Sequence, residues 1–153
     1  MLWRYPHISK IYEALGAIAD ERIEISGNTA KVYSSSRAKF YDVEYDPEKN
    51  AIMSNDNASF WKETLGYPSI AFLMKIKVLS YDPHIGELLK GIAWKDINQK
   101  FKNDFDKTIE YILESKTPSE REEMKNFVEK VSKEIQALNI EMLGQKQRPP
   151  AGY

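Results

Sequence analysis

The chain has 153 residues, 42% hydrophobic and 29% charged, with 22 Lys and Arg against 23 Asp and Glu and no cysteine. That length can bury a sizeable core without covalent staples, and a formal charge of −1 gives the whole chain no long-range attraction for polyanions. Zero cysteines exclude disulfides, thiolate zinc sites and cysteine nucleophiles together, so a cytoplasmic setting is expected.

The opening MLWRYPHISK has no apolar run of signal-peptide length and no small-residue cleavage site, and reads as mature chain. Over residues 7–19, Ile8, Ile11, Tyr12, Leu15 and Ile18 recur at helical spacing. Pro6 suits the first turn of this amphipathic helix, and Gly16 weakens its last. The period then falls to two. Ile23 and Ile25 alternate with Arg22 and Glu24, Gly27-Asn28 marks a tight turn, and Ala30 and Val32 alternate with Lys31 and Tyr33. A third run sets Tyr41, Val43 and Tyr45 on one face and Phe40, Asp42 and Glu44 on the other, before the turn DPEKN and the short strand AIMS. The pattern predicts about four antiparallel strands in meander order.

Helices return after SNDN, where Asp56 or Asn57 is placed to cap a helix carrying Phe60, Trp61 and Leu65, with Gly66 as its stop. The most apolar stretch follows, GYPSIAFLMKIKVL at residues 66–79. A membrane span needs about 20 apolar residues, and this run is broken by Lys75 and Lys77. Residues 74–78 alternate like a strand. Pro68 behind a glycine, with Ile70, Leu73 and Met74 at helical spacing, nevertheless favours a core helix.

Asp82-Pro83 starts another helix with Ile85, Leu88, Leu89 and Ile92 on one side, and a segment from near Lys95 continues with Ile97, Phe101, Phe105, Ile109 and Ile112 down one face. Thr117-Pro118-Ser119-Glu120 combines an N-cap threonine, a first-turn proline and a glutamate that can reach back to the cap amide. The helix it opens carries Met124, Val128, Val131, Ile135, Leu138 and Met142 at heptad-like steps, with Gly144 as its stop. Strands early and helices late predict an α+β fold. It consists of an N-terminal helix, the meander sheet and a helical C-terminal part ending in an antiparallel helix hairpin about residues 115–117. One domain over residues 1–144 and a disordered tail over 145–153 are expected.

Few residues invite chemistry. The two histidines, His7 and His84, each stand at a helix start, where the dipole disfavours the charged ring. A small enzyme would need one of them beside a carboxylate such as Asp82; the plainer alternative is a solvated first-turn residue. Asp42, Glu44 and Asp46 could hold a hard cation, but the polar side of a half-buried strand is the plainer explanation, and no calcium-loop spacing supports a metal. Ser34-Ser35-Ser36 lacks the nucleophile elbow, and no phosphate-cradling glycine loop occurs. No metal and no cofactor is expected.

Tyr33, Arg37, Lys39 and Tyr41, with Phe40, form a basic and aromatic mixture of the kind that sheet-type binders of single-stranded RNA use, although Asp42 and Glu44 adjoin it and repel phosphate. The remaining expectation is a protein-interaction module or assembly subunit without catalysis, most simply a homo-oligomer. Its surface would be the seam of Phe127, Val131, Ile135, Leu138 and Met142, with Ile140 beside it; the alternative is that this stripe covers the domain's own core. The tail's Lys146 and Arg148 with Pro149-Pro150 could dock onto a partner.

Overall fold

A computed structural model describes residues 1–151. Gly152 and Tyr153, the end of the expected tail, lie outside the described residues. Helix α1 (Ser9–Ala19) is buried along almost its whole length, from Ser9 through Ala17 except Lys10. A helix apolar on more than one face must be covered from several sides. Four helices do so here: α3 (Tyr67–Lys75), α4 (Pro83–Leu88), α6 (Phe105–Glu114) and α7 (Pro118–Leu138). Gly16 suits this close packing, because a Cβ there would lie 3.1 Å from both the Leu89 carbonyl oxygen and the Trp94 indole nitrogen, so that one of them would have to give way slightly.

Strands β1 (Ile23–Ser26), β2 (Thr29–Tyr33), β3 (Phe40–Asp46) and β4 (Ala51–Ser54) pair antiparallel in chain order, the meander that the alternation predicts. Val32 stands opposite Tyr41 and Ala30 opposite Val43. These four are buried, with α3 packed on the sheet, while Phe40, Asp42 and Glu44 face solvent. The apolar stretch at 66–79 is therefore helix α3, ending at Lys75. Among the described residues, seven helices and a mostly antiparallel sheet make an α+β fold.

Several boundaries differ from the sequence expectation. A fifth strand, β5 (Glu141–Met142), joins the sheet parallel to β4. Met142 is thus a strand residue and not a seam position of the last helix. That helix stops at Leu138, because Asn139 adopts φ 48° and the Asn50 amide donates to the Leu138 and Asn139 carbonyls at 2.8 and 3.2 Å. Those bonds satisfy carbonyls that a helix end leaves open. The segment from 95 to 112 is two helices, α5 (Trp94–Lys100) and α6, separated where Lys102 and Asn103 take positive φ. Helix α2 (Asn57–Lys62) ends at a left-handed Glu63, before Leu65. Gly66 is the N-cap of α3 and not a helix stop.

The capping box forms as read: Thr117 Oγ1 accepts from the Glu120 amide at 3.1 Å, and Glu120 Oε1 accepts from the Thr117 amide at 2.9 Å. Helix α7 then buries Met124, Val128, Val131 and Ile135 in the chain's own core, with Phe127 and Leu138 half-buried against it. At the other terminus, Trp3 Nε1 donates to the Ile52 carbonyl at 2.9 Å, which fastens the N-terminal segment beside β4.

Val131 is 0% exposed, so Val131→Asp should cost several kcal/mol, about what an unpaired buried polar group costs. Thr117→Ala should cost only about 1 kcal/mol through the lost cap. Urea denaturation checks both, and an unchanged midpoint for Val131→Asp would place that side chain in water.

Candidate functional site

Between α1, α2, α5 and the β2–β3 connection lies a cavity of about 520 Å³. Its most deeply buried charged group is Arg22, 1% exposed, at the point where α1 gives way to β1. The guanidinium donates from one terminal nitrogen to the Tyr33 carbonyl at 2.7 Å and from Nε to Asp20 Oδ2 at 3.3 Å. It also lies 5.9 Å from the centre of the Tyr67 ring. Burial, with Tyr41 as a near neighbour, pushes the Tyr67 hydroxyl well above the ordinary phenol range.

Two carboxyl groups line the same space. Glu13, on the buried face of α1, accepts from Asn98 Nδ2 at 2.8 Å and stands 3.7 Å from the Lys10 ammonium. Asp56, 4% exposed, caps α2 by accepting from both the amide and the hydroxyl of Ser59. Glycine at position 66 makes room for it, since a Cβ there would fall 1.8 Å from the carboxylate. Burial raises the Asp56 carboxyl above its ordinary range, opposed by the Ser59 hydrogen bonds and more weakly by Lys10.

Cations outnumber these acids. Lys10, Lys39, Lys62 and Lys95 join Arg22 in the lining. Lys10 and Lys62 flank the Phe105 ring, 4.0 and 5.4 Å from its centre. Burial, with the like charge of Lys95 nearby, lowers the Lys39 ammonium below the usual lysine range. An arrangement of this kind, with lysines gathered around a buried guanidinium on a concave site, can hold an anion and has little use for a metal ion.

The expected site residues are dispersed by the fold. Lys39 and Tyr41 line the cavity. Tyr33 pairs with Phe40 across the strands, opposite in parity to buried Val32, and so lies on the outer face. Arg37 donates to the Asp20 carbonyl at 2.8 Å. The basic and aromatic patch is thereby split between two faces of the sheet. His7 reaches the cavity wall, but both its nitrogens are engaged: Nδ1 accepts from the Ser9 amide at 3.0 Å, so Nε2 must donate to Asp106 at 2.8 Å. His84 pairs with Glu123 at 3.2 Å, away from the cavity, and Asp82 caps α4. Asp42 and Glu44 face solvent, Asp46 accepts from the Glu48 and Lys49 amides, and no metal-holding group of three or more acidic or histidine side chains occurs among the described residues. In the tail, Lys146 bonds Glu63 at 2.9 Å and Arg148 stands over Phe60.

Arg22, Glu13, Asp56 and Trp61 were not singled out as site residues by sequence reasoning. Ser36 and Lys39 do stand at Ser-x-x-Lys spacing, although the cavity takes Ser34, Ser35 and Lys39 and not Ser36. No helix among the described residues is long and apolar enough to cross a membrane.

The chain belongs to the family described as Uncharacterised conserved protein UCP014422, whose model matches residues 3–141. That span contains every residue named in the cavity. No curated protein and no solved structure matches the chain.

The raised Asp56 carboxyl makes a signed prediction. A folded-state pKa above the unfolded value adds stability below the unfolded value, 3.8, and that stability is lost as pH rises through the folded value. Asp56→Asn keeps an acceptor for the Ser59 amide without the buried charge. It should therefore melt above the wild type at about pH 7, with the gap closing as pH falls to about 3. Melting curves across that range test this, and a gap independent of pH would show that Asp56 is not ionising in a buried state.

Proposed function

We propose that this member of the family binds a small anionic molecule in the cavity between α1, α2, α5 and the β2–β3 connection. The observation that supports the reading is the local imbalance of charge. Lys10, Arg22, Lys39, Lys62 and Lys95 line it beside the acids Glu13 and Asp56, with Asp20 paired to Arg22, in a chain whose formal charge is −1. Both acids are further blunted, Glu13 by Lys10 and Asn98 and Asp56 by burial. Cations gathered on one concave surface repel one another, and an anion placed among them relieves that repulsion.

The catalytic alternative through histidine has less support, since both ring nitrogens of His7 are already hydrogen-bonded within the chain and His84 lies elsewhere. Association through α7 also has less support, because most of the seam is spent on the chain's own core. A cytoplasmic setting remains part of the proposal on the strength of the cysteine-free composition.

Thermal-shift titration with inorganic phosphate, pyrophosphate, citrate and sugar phosphates tests the reading. A ligand at 100 times its dissociation constant adds about 2.7 kcal/mol, on the order of 5–10 °C in Tm for a chain of this size. Lys39→Met and Lys95→Met should each weaken binding by roughly tenfold or more, the usual loss of a charge-assisted hydrogen bond. If neither these anions nor nucleotides raise the Tm at millimolar concentration, the proposal falls.

A further inference from the structure

Arg22 does not spend all of its hydrogen bonds within the chain. Nε and one terminal nitrogen are engaged by Asp20 and the Tyr33 carbonyl, which leaves the second terminal nitrogen without a partner among the described residues. The side chain is only 2% exposed, yet that nitrogen is not one of the sealed polar atoms that lack a partner. Its remaining exposure therefore opens onto the cavity that Arg22 lines. A guanidinium presents its N–H groups in a rigid planar fork suited to two-oxygen acceptors, and one prong of that fork is left over here.

Tyr67 supplies a second uncommitted donor. The residue is half-buried and lines the same cavity. Its hydroxyl has no hydrogen-bond partner among the described residues, and it too is absent from the sealed, unpartnered atoms. Burial keeps the phenol neutral, so it acts as an O–H donor. The two groups are neighbours: the guanidinium carbon lies 5.9 Å from the Tyr67 ring centre, and the arginine's charge acts on the ionisation of the hydroxyl, against the larger effect of burial.

Two adjacent donors, one cationic and one neutral, match the two oxygens of a single carboxylate. The surrounding charge suits one negative charge better than a phosphate monoester, which carries about −1.5 to −2 at neutral pH. Arg22 already shares its charge with Asp20 at 3.3 Å, and Lys10 shares its own with Glu13 at 3.7 Å. Toward solvent, Trp61 lines the cavity while 64% exposed, and Phe60 meets its ring edge-on at 4.7 Å and 89°. That held aromatic face is a surface against which an apolar group can lie.

We infer that the anion is a small monocarboxylic acid with a flat apolar body, its carboxylate shared between the free terminal nitrogen of Arg22 and the Tyr67 hydroxyl and its body lying against Trp61. This rests on the anion-binding reading and narrows it to one acid group and one charge. The cavity, about 520 Å³, falls within the roughly 300–1,000 Å³ of small-molecule sites.

The experiment is calorimetric titration of the wild type, Tyr67→Phe and Trp61→Ala with benzoate, acetate, benzamide and inorganic phosphate at about pH 7, where both carboxylic acids are ionised. Tyr67→Phe keeps the ring and removes only a hydroxyl with no partner in the chain. Without ligand it should therefore melt at or above the wild type, and a clear fall in Tm would show that the hydroxyl serves the fold instead. The wild type should bind benzoate on the order of tenfold or more tightly than benzamide, which has a similar shape and no charge, and more tightly than phosphate. Tyr67→Phe should lose on the order of tenfold or more in benzoate affinity, the usual cost of a hydrogen bond to a charged group. Trp61→Ala should lose roughly two- to tenfold for benzoate and leave acetate unchanged. Benzoate binding untouched by Tyr67→Phe would overturn the carboxylate anchor, and acetate binding as tightly as benzoate would overturn the apolar body. Binding of phosphate without benzoate would overturn the monocarboxylate assignment and leave the anion-binding reading standing. If no anion binds, the inference and that reading fall together.

Discussion

A buried guanidinium governs how this chain closes around its cavity. An ion of that size is tolerated away from water only when its hydrogen bonds are supplied by the protein. Arg22 obtains them from the Tyr33 carbonyl of β2 and from Asp20 just beyond α1. Asp20 is equally occupied, since its other carboxylate oxygen accepts from the Gly91 amide at 2.7 Å and its carbonyl accepts from Arg37. One ion pair therefore joins the end of α1, the strand β2, the β2–β3 connection and the approach to α5. Three of these elements wall the cavity, so its floor is set by the same bonds that dock the first helix onto the sheet.

The fold was legible wherever its cause was local. Alternation marked β2 and β3, because burial of one sheet face imposes a period of two on them, whereas β4 is buried at every position. The Thr117 capping box marked the start of α7 because both partners lie within one turn. What stayed hidden depends on distant residues. Leu138 ends α7 through an Asn50 side chain 88 positions earlier in the chain, and the last apolar residues then suit a strand as well as a helix. The break between α5 and α6 falls on Lys102 and Asn103 in left-handed conformations, and lysine gives no warning of that.

The cavity was less legible for the same reason, compounded by identity. Its groups come from His7 to Phe105 and each has an ordinary local reading. Arg22 reads as the polar half of an alternating strand, Asp56 as a helix cap, and Trp61 as part of an apolar helix face. Asp56 is indeed the cap, and only its burial against Gly66 sets it apart. Strand parity alone separates Tyr41 from Tyr33, so the basic and aromatic patch could have been divided from the sequence once the buried face was taken to be that of Val32 and Val43.

Where the charges lie also bears on the size of ligand the cavity suits. The chain's near-zero total conceals a separation: the cavity gathers lysines 10, 39, 62 and 95 with Arg22, whereas Asp42 and Glu44 face solvent on the outer side of the sheet and Glu122 and Glu123 on α7. A polyanion extending beyond the cavity gains little from these cations over distances longer than the screening length, about 8 Å at physiological salt, and meets acidic surface elsewhere. A compact anion seated inside feels the cations at contact distance, with less water between, where each interaction is several times stronger than at the surface. On the proposed reading, concave placement would turn a charge pattern that is unremarkable in sum into one better suited to small anions than to polymers.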